Sequence, residues 1–206
     1  MSTEQLQPHL AGAGFGYSIM TPTNWVAIDS ETLDQWKSDH GSPKSGTMDA
    51  AYIDLVDSAL QALASPGTVF ASILAVPGEN RLLATITAVA LGLPSSEFGT
   101  SLLSVLEANP PADAVEGSFD AIEVEHPSGD AVRTKSLRRN VLGLPSKAQV
   151  SLCIEYAIRP LSTDSVVVTT FSTPSVLEAS RYTELFDLVA STITFTPVAS
   201  SANSAS

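Results

Sequence analysis

The feature that most constrains the fold is that strand-like segments occur in pairs joined by short turns. Residues 68–76 and 82–91 are rich in β-branched and aliphatic side chains, and Pro77-Gly78-Glu79-Asn80 separates them. A second pair, at 119–126 and 131–141, flanks a Pro-Ser-Gly-Asp turn. Short turns join antiparallel neighbours, whereas parallel strands need a long crossover connection. The pattern therefore predicts an antiparallel sheet.

Other segments complete the order of elements. Further strands are predicted where apolar residues alternate or cluster, and helices where apolar residues recur at helical spacing. The predicted strands are 15–19, 25–29, 149–158 and 165–171, and the predicted helices are 49–64, 97–107 and one that follows Ser175, with Glu178 completing a capping box. The order β-β-α-β-β-α-β-β-β-β-α indicates an α+β protein whose antiparallel sheet is sandwiched by helices, an α/β/α arrangement.

Length and composition limit the organisation of the chain. The 206 residues are enough for one domain, expected over 15–197, with a flexible arm at 1–14 and a disordered tail at 198–206. Cys153 is the single cysteine, so no internal disulfide forms, and its apolar strand neighbours predict a buried side chain. The start resembles no signal peptide and no apolar stretch could span a bilayer, so we expect a cytoplasmic protein.

The charge excludes some partners. Lys and Arg number 10 against 22 Asp and Glu, a formal net charge of -12. Nucleic-acid binding needs clustered cations, so we expect no nucleic-acid partner, and an anionic membrane surface is disfavoured for the same reason. The expected partner is another protein, with a homo-oligomer as a further option.

No motif in the chain forms a coherent catalytic, cofactor or metal site. The glycines at 12, 14 and 16 precede a strand instead of following one, and the lysine of the 41–47 loop stands before its second glycine. Ser38, Asp39 and His40 are merely adjacent, and Glu123-x-x-His126 occurs once, on a strand. We therefore expect no enzyme activity, no cofactor and no metal.

Five residues are candidates for contact with a partner. Trp36 lies in a polar stretch, where a tryptophan either caps the core or anchors a partner. Glu123 and Glu125 share one face of a predicted strand and offer an acidic surface. Arg138 and Arg139 either pair with surface carboxylates or recognise a carboxylate or phosphate.

A simpler interpretation exists for the acidic pair. A three-residue loop would set Glu125 opposite Arg133 and Glu123 opposite Lys135. Opposite charges across strands stabilise a sheet by roughly 0.2–1 kcal/mol per pair. In that case the carboxylates would be solvated and partly neutralised by their own sheet.

The two ends of the chain resemble a known family. Phe15-Gly16-Tyr17-Ser18-Ile19, with Pro22 and then Trp25, looks like the start of the Mog1/PsbP-like fold. The amphipathic helix and closing segment from Leu185 to Phe195 are similar to its end. The resemblance implies a binding or accessory protein, because members of this family are mostly non-catalytic. The Ala-rich, acidic composition suits a bacterial source.

Three functional hypotheses follow. The first is a non-catalytic protein-binding or accessory subunit of a larger complex. The second is a small-ligand-binding module or an enzyme with a pocket near the 38–47 loop, which would need convergent polar groups there. The third is a self-assembling structural subunit.

Overall fold

The computed structural model describes eight stretches of the chain. They are residues 15–22, 25–27, 68–76, 81–92, 101–139, 150–161, 163 and 165–197. The predicted helix at 49–64, the loop at 38–47, the arm and the tail lie outside the described residues.

The described elements follow the predicted order. The strands are β1 (Phe15–Ser18), β2 (Val26–Ala27), β3 (Thr68–Val76), β4 (Arg81–Gly92), β5 (Asp120–Val124), β6 (Gly129–Arg139), β7 (Val150–Pro160), β8 (Ser165–Thr173) and β9 (Thr194–Pro197). The helices are α1 (Leu102–Ala108) and α2 (Ala179–Ala190), and a 3₁₀ turn (Val176–Glu178) precedes α2.

The strands form one large and one small sheet. The large sheet has seven strands in the order β2-β3-β4-β8-β7-β6-β5, and each neighbouring pair is antiparallel. The small sheet pairs β1 with β9, also antiparallel. The predicted α+β class with an antiparallel sheet is therefore confirmed.

Each face of the large sheet packs against other elements. On the face that we call the aromatic face, the ring of Phe171 stacks on Phe186 of α2 at 5.1 Å between centroids. Tyr17 of β1 reaches the same face, where its hydroxyl shares a 3.1 Å hydrogen bond with Thr169 Oγ1. On the opposite face, which we call the α1 face, Leu102 joins a smaller apolar cluster with strand residues such as Val132. Burial of the sheet on both faces explains the long apolar runs in β7 and β8.

The register of the β5–β6 hairpin differs from the predicted one. Arg133 lies opposite Ile122, three positions from the predicted Glu125, and Glu123 lies opposite Val132. The connection is a two-residue turn in which Gly129 N–H donates to the His126 carbonyl at 3.3 Å. A shift by an odd number of residues moves a side chain to the other face. The predicted Glu125–Arg133 and Glu123–Lys135 pairs are therefore wrong.

The two predicted helices of the described region compare as follows. Helix α1 begins at Leu102, after the extended backbone of Ser101 (φ -58°, ψ 130°), and residues 97–100 of the predicted helix lie outside the described residues. The capping box of Ser175 and Glu178 does not form, since the Ser175 side chain makes no capping bond. Instead Glu178 N–H donates to the Ser175 carbonyl at 3.0 Å and closes the 3₁₀ turn.

Candidate interaction surface

Strand β5 forms one edge of the large sheet, and its register shows which backbone groups face outward. His126 and Gly129 form the first hydrogen-bonded pair of the hairpin, so bonded pairs recur at every second residue. Asp120, Ile122 and Val124 therefore direct their backbone groups to β6. Ala121, Glu123 and Glu125 direct theirs away from it, and among the described residues no backbone group pairs with them.

Side chains along this edge are mostly acidic and exposed. Glu123, Glu125 and Asp120 are exposed, and 42% of Ile122 is accessible. Glu123 Oε1 accepts a 3.4 Å hydrogen bond from Ser101 Oγ. Within the described ranges, no cation lies within ion-pair distance of Glu123 or Glu125. We call Ala121, Ile122, Glu123 and Glu125 the acidic edge.

The two arginines predicted to contact a partner lie at the far end of β6 and differ in environment. Arg138 Nη2 donates to Glu155 Oε2 at 2.7 Å, and its Nε donates to Ser136 Oγ at 3.3 Å. Only 14% of the Arg138 side chain is exposed, and Glu155 balances its charge within the protein. Arg139 is exposed, and its backbone N–H donates to the Asp113 carbonyl at 3.0 Å.

Glu155 is the centre of a polar network on the α1 face that the sequence analysis missed. Besides Arg138, it accepts hydrogen bonds from Thr134 Oγ1 at 3.3 Å and from Thr170 Oγ1 at 3.1 Å. These donors come from β6 and β8, the two neighbours of β7. The recurrence of polar residues at Thr134, Ser136 and Arg138 was the available signal, because alternate residues share a face.

A second network lies on the aromatic face and was also missed. Arg133 Nε donates to Asp187 Oδ1 of α2 at 3.0 Å, and the Tyr156 hydroxyl donates to the same oxygen at 2.5 Å. Burial is the main reason that the pKa of Tyr156 lies well above its usual range, and the Asp187 carboxylate raises this pKa further. The network fastens α2 to the sheet. No local pattern reveals it, because its members are 31 and 54 residues apart.

Cys153 is buried in β7, as predicted. Its thiol donates to Ser172 Oγ at 3.6 Å. Burial raises the pKa of the Cys153 thiol to about 11. A thiol with this pKa is protonated at neutral pH and is a poor nucleophile.

The remaining predictions concern metal, membrane and the first part of the chain. In the part of the chain that the structure describes, no group of three or more His, Cys, Asp and Glu could hold a metal ion. His126 instead contacts backbone, with Nε2 3.2 Å from the Ala190 carbonyl and Nδ1 accepting from Ser128 N–H. No helix in the described ranges is both long and apolar enough to span a bilayer. Trp36 and the 38–47 loop lie outside the described residues.

These elements define an α+β protein with a seven-stranded antiparallel sheet and a paired first and last strand. Its fold is the Mog1/PsbP-like fold, which the two ends of the sequence predicted. A solved structure of a mutant of the protein Mog1 matches with a TM-score of 0.50 and 13% identity, over 97% of this chain and 98% of that one.

Two further solved structures are similar. The Ran-binding protein Mog1p of Saccharomyces cerevisiae has a TM-score of 0.47 and 13% identity, with 93% of this chain and 95% of that chain covered. LpqN of Mycobacterium tuberculosis, involved in cell envelope biogenesis, has a TM-score of 0.49 and 11% identity, with 94% and 91% covered. No protein-family model and no curated protein sequence matches the chain. At these identities the likeness concerns the fold alone.

Proposed function

We propose that this chain is a non-catalytic protein-binding or accessory subunit of a larger complex. The observation that carries the proposal is the acidic edge, where outward backbone groups, an exposed Ile122 and the carboxylates of Glu123 and Glu125 occur together. Sheet edges attract pairing with other chains, and proteins usually cover or blunt them. The acidic edge offers a partner apolar contact area at Ile122 and charged contact area at Glu123 and Glu125.

Electrostatics define the kind of partner. The formal net charge of -12 favours encounter with a basic surface and disfavours an acidic one. Two arginines of the neighbouring strand β6 do not neutralise the edge, because Arg133 is engaged with Asp187 and Arg138 with Glu155. The resemblance of the two ends of the sequence to the Mog1/PsbP-like family implied binding in the same way.

The test is affinity purification of the tagged full chain from its native cell, at low salt and at about 1 M salt, where the Debye length falls to about 3 Å. We expect a stoichiometric partner at low salt, identified by mass spectrometry, and its loss at high salt. A double variant, Glu123→Lys with Glu125→Lys, should lose the partner. The matched control is Glu107→Lys with Glu184→Lys, which reverses two other exposed carboxylates.

If no stoichiometric partner appears at either salt concentration, the accessory-subunit proposal is wrong. Light scattering on the purified chain then distinguishes self-assembly from a monomer. The predicted role of Trp36 is tested in the same purification with Trp36→Ala.

A further inference from the structure

The acidic edge has the geometry of an unpaired strand position at the end of the sheet. Ala121, Glu123 and Glu125 each present one N–H and one C=O group on the side away from β6. The rest of the β6 edge is already covered, since Val115 N–H donates to the Leu137 carbonyl and Arg139 N–H donates to the Asp113 carbonyl. Among the residues that the structure describes on this side of the sheet, the open positions are therefore those of β5 and of Glu125, which follows it.

We propose that an extended cationic segment of a partner protein binds here by adding to β5 as a further antiparallel or parallel strand. The inference rests on the proposed function and names the site and the chemistry of the partner. Strand addition obtains affinity from main-chain hydrogen bonds and specificity from alternate side chains.

The alternation of β5 defines the sequence of the incoming strand. Glu123 and Glu125 lie on the α1 face, and Ile122 lies on the aromatic face. A strand beside β5 would place Lys or Arg next to the two carboxylates and an apolar residue next to Ile122. Asp120 favours a cationic residue in the incoming strand less strongly, because Lys135 of β6 already lies opposite Asp120.

Charge also excludes a second copy of this chain as the occupant. Two β5 strands side by side would bring the carboxylates of Glu123 and Glu125 close to their counterparts. Like charges across neighbouring strands are destabilising, and the net charge of -12 on each copy adds repulsion. The same carboxylates that prevent self-pairing attract a basic strand.

The experiment uses the full chain and a synthetic blocked peptide, Thr-Lys-Val-Lys-Val-Lys-Thr, with Thr-Glu-Val-Glu-Val-Glu-Thr as its matched control. Backbone amide exchange is followed by NMR. Strand addition should protect the outward amides of Ala121, Glu123 and Glu125, which are alternate residues, and leave the inward amides of Ile122 and Val124 unchanged. Affinity for the cationic peptide should fall at least about tenfold at 1 M salt.

Variants separate backbone pairing from charge. Glu123→Pro removes an outward N–H group without breaking a hydrogen bond to β6. An edge strand tolerates proline at a position whose N–H points away from the sheet. We expect it to weaken peptide binding at least about tenfold, and Glu123→Ala to weaken it less. Circular dichroism and thermal unfolding check that both variants fold. If Glu123→Pro does not fold, Glu123→Lys with Glu125→Lys keeps the backbone and should also abolish binding.

Three results would overturn the inference. They are no binding of the cationic peptide at low salt, equal binding of the anionic peptide, or binding without protection of the outward amides. The first would mean that the carboxylates only guard the edge against aggregation. A native partner that survives Glu123→Pro and the double lysine variant would leave the proposed function intact and move its site elsewhere.

Discussion

Arg138 on β6 and Glu155 on β7 form an ion pair on the α1 face, with Nη2 and Oε2 2.7 Å apart and 14% and 18% of their side chains exposed. The two threonines that donate to Glu155 complete its hydrogen bonding from both neighbouring strands. The pair and the two threonines thus link β6, β7 and β8, and Glu155 neutralises the positive charge of Arg138.

Breaking this pair should destabilise the protein. Glu155→Ala leaves the largely buried guanidinium of Arg138 with a hydrogen bond to Ser136 and, within the described residues, Asp113 at 3.9 Å as its remaining carboxylate. It also removes the acceptor of Thr134 and Thr170. We expect a loss of about 2–3 kcal/mol in the free energy of unfolding, measured by urea denaturation. Glu178→Ala is the control, because its pair with Arg181 is exposed and should matter by less than about 0.5 kcal/mol. Equal effects of the two variants would contradict the structural role of the network.

Gly129 should not tolerate a side chain. Its φ is 147°, and an added Cβ would overlap the backbone carbonyl oxygen of Arg159, which cannot rotate away. Gly129→Ala should cost about 3 kcal/mol in the free energy of unfolding, from backbone strain and overlap together.

The control for this prediction is Gly117→Ala. Gly117 also has a positive φ, 72°, but nothing lies within 4 Å of the added Cβ. Its cost should be only about 1–2 kcal/mol, from the left-handed backbone alone. If thermal unfolding shows the same loss for both variants, the close approach of β7 to Gly129 is not what requires glycine there.

The last strand should contribute to stability through one aromatic residue. Phe195 of β9 packs against the rings of Phe15 and Tyr17, at 5.3 and 5.8 Å between centroids. Phe195→Ala should cost about 2–3 kcal/mol, below the range for a fully buried phenylalanine because Phe195 is half-buried. Thr194→Ala, on the same strand but exposed, should change the urea midpoint little. If Phe195→Ala leaves the urea midpoint unchanged, the contact of Phe195 with these two rings does not stabilise β9.

Cys153 should make stability depend on pH in the alkaline range. Burial raises the pKa of its thiol from an ordinary value near 9 to about 11. Between about pH 9 and 11 the thiol is deprotonated in the unfolded state but still protonated in the folded state, which favours unfolding. The contribution of the thiol to folding stability is therefore complete below about pH 9 and is lost as the pH rises toward 11. The stability advantage over Cys153→Ala should fall by up to about 1.4 kcal/mol per pH unit in that window. An advantage that stays constant from pH 8 to 11 would refute this account.

The sequence predicted the local elements well where hydrophobic periodicity and turn residues agree. The strand at 68–76 has the predicted bounds, and its partner β4 differs by one residue at each end. Burial of Cys153 was also correctly predicted, because apolar neighbours on a strand indicate a core position. Glu123 and Glu125 were chosen as an acidic pair on a strand, and the structure places them on the edge strand and next to it.

The register of the β5–β6 hairpin could not be predicted, because several turn lengths fit the same Pro-Ser-Gly-Asp letters and each gives a different set of opposed side chains. The order of strands was equally open. Strand β8 lies between β4 and β7, and it pairs Ser172 with Thr85 across 87 residues of chain. Nothing local to either strand specifies that neighbour.

By itself, therefore, the sequence determined the antiparallel class, most of the elements and the acidic character, since these depend on side-chain chemistry within short windows. Tertiary structure alone decided which strand is the edge, which charges are neutralised and which remain free. Arg133, Arg138 and Glu123 look alike as charged strand residues in sequence, yet two are engaged in ion pairs and one is left at the edge. Packing brings partners together over distances in the chain that local propensities do not encode.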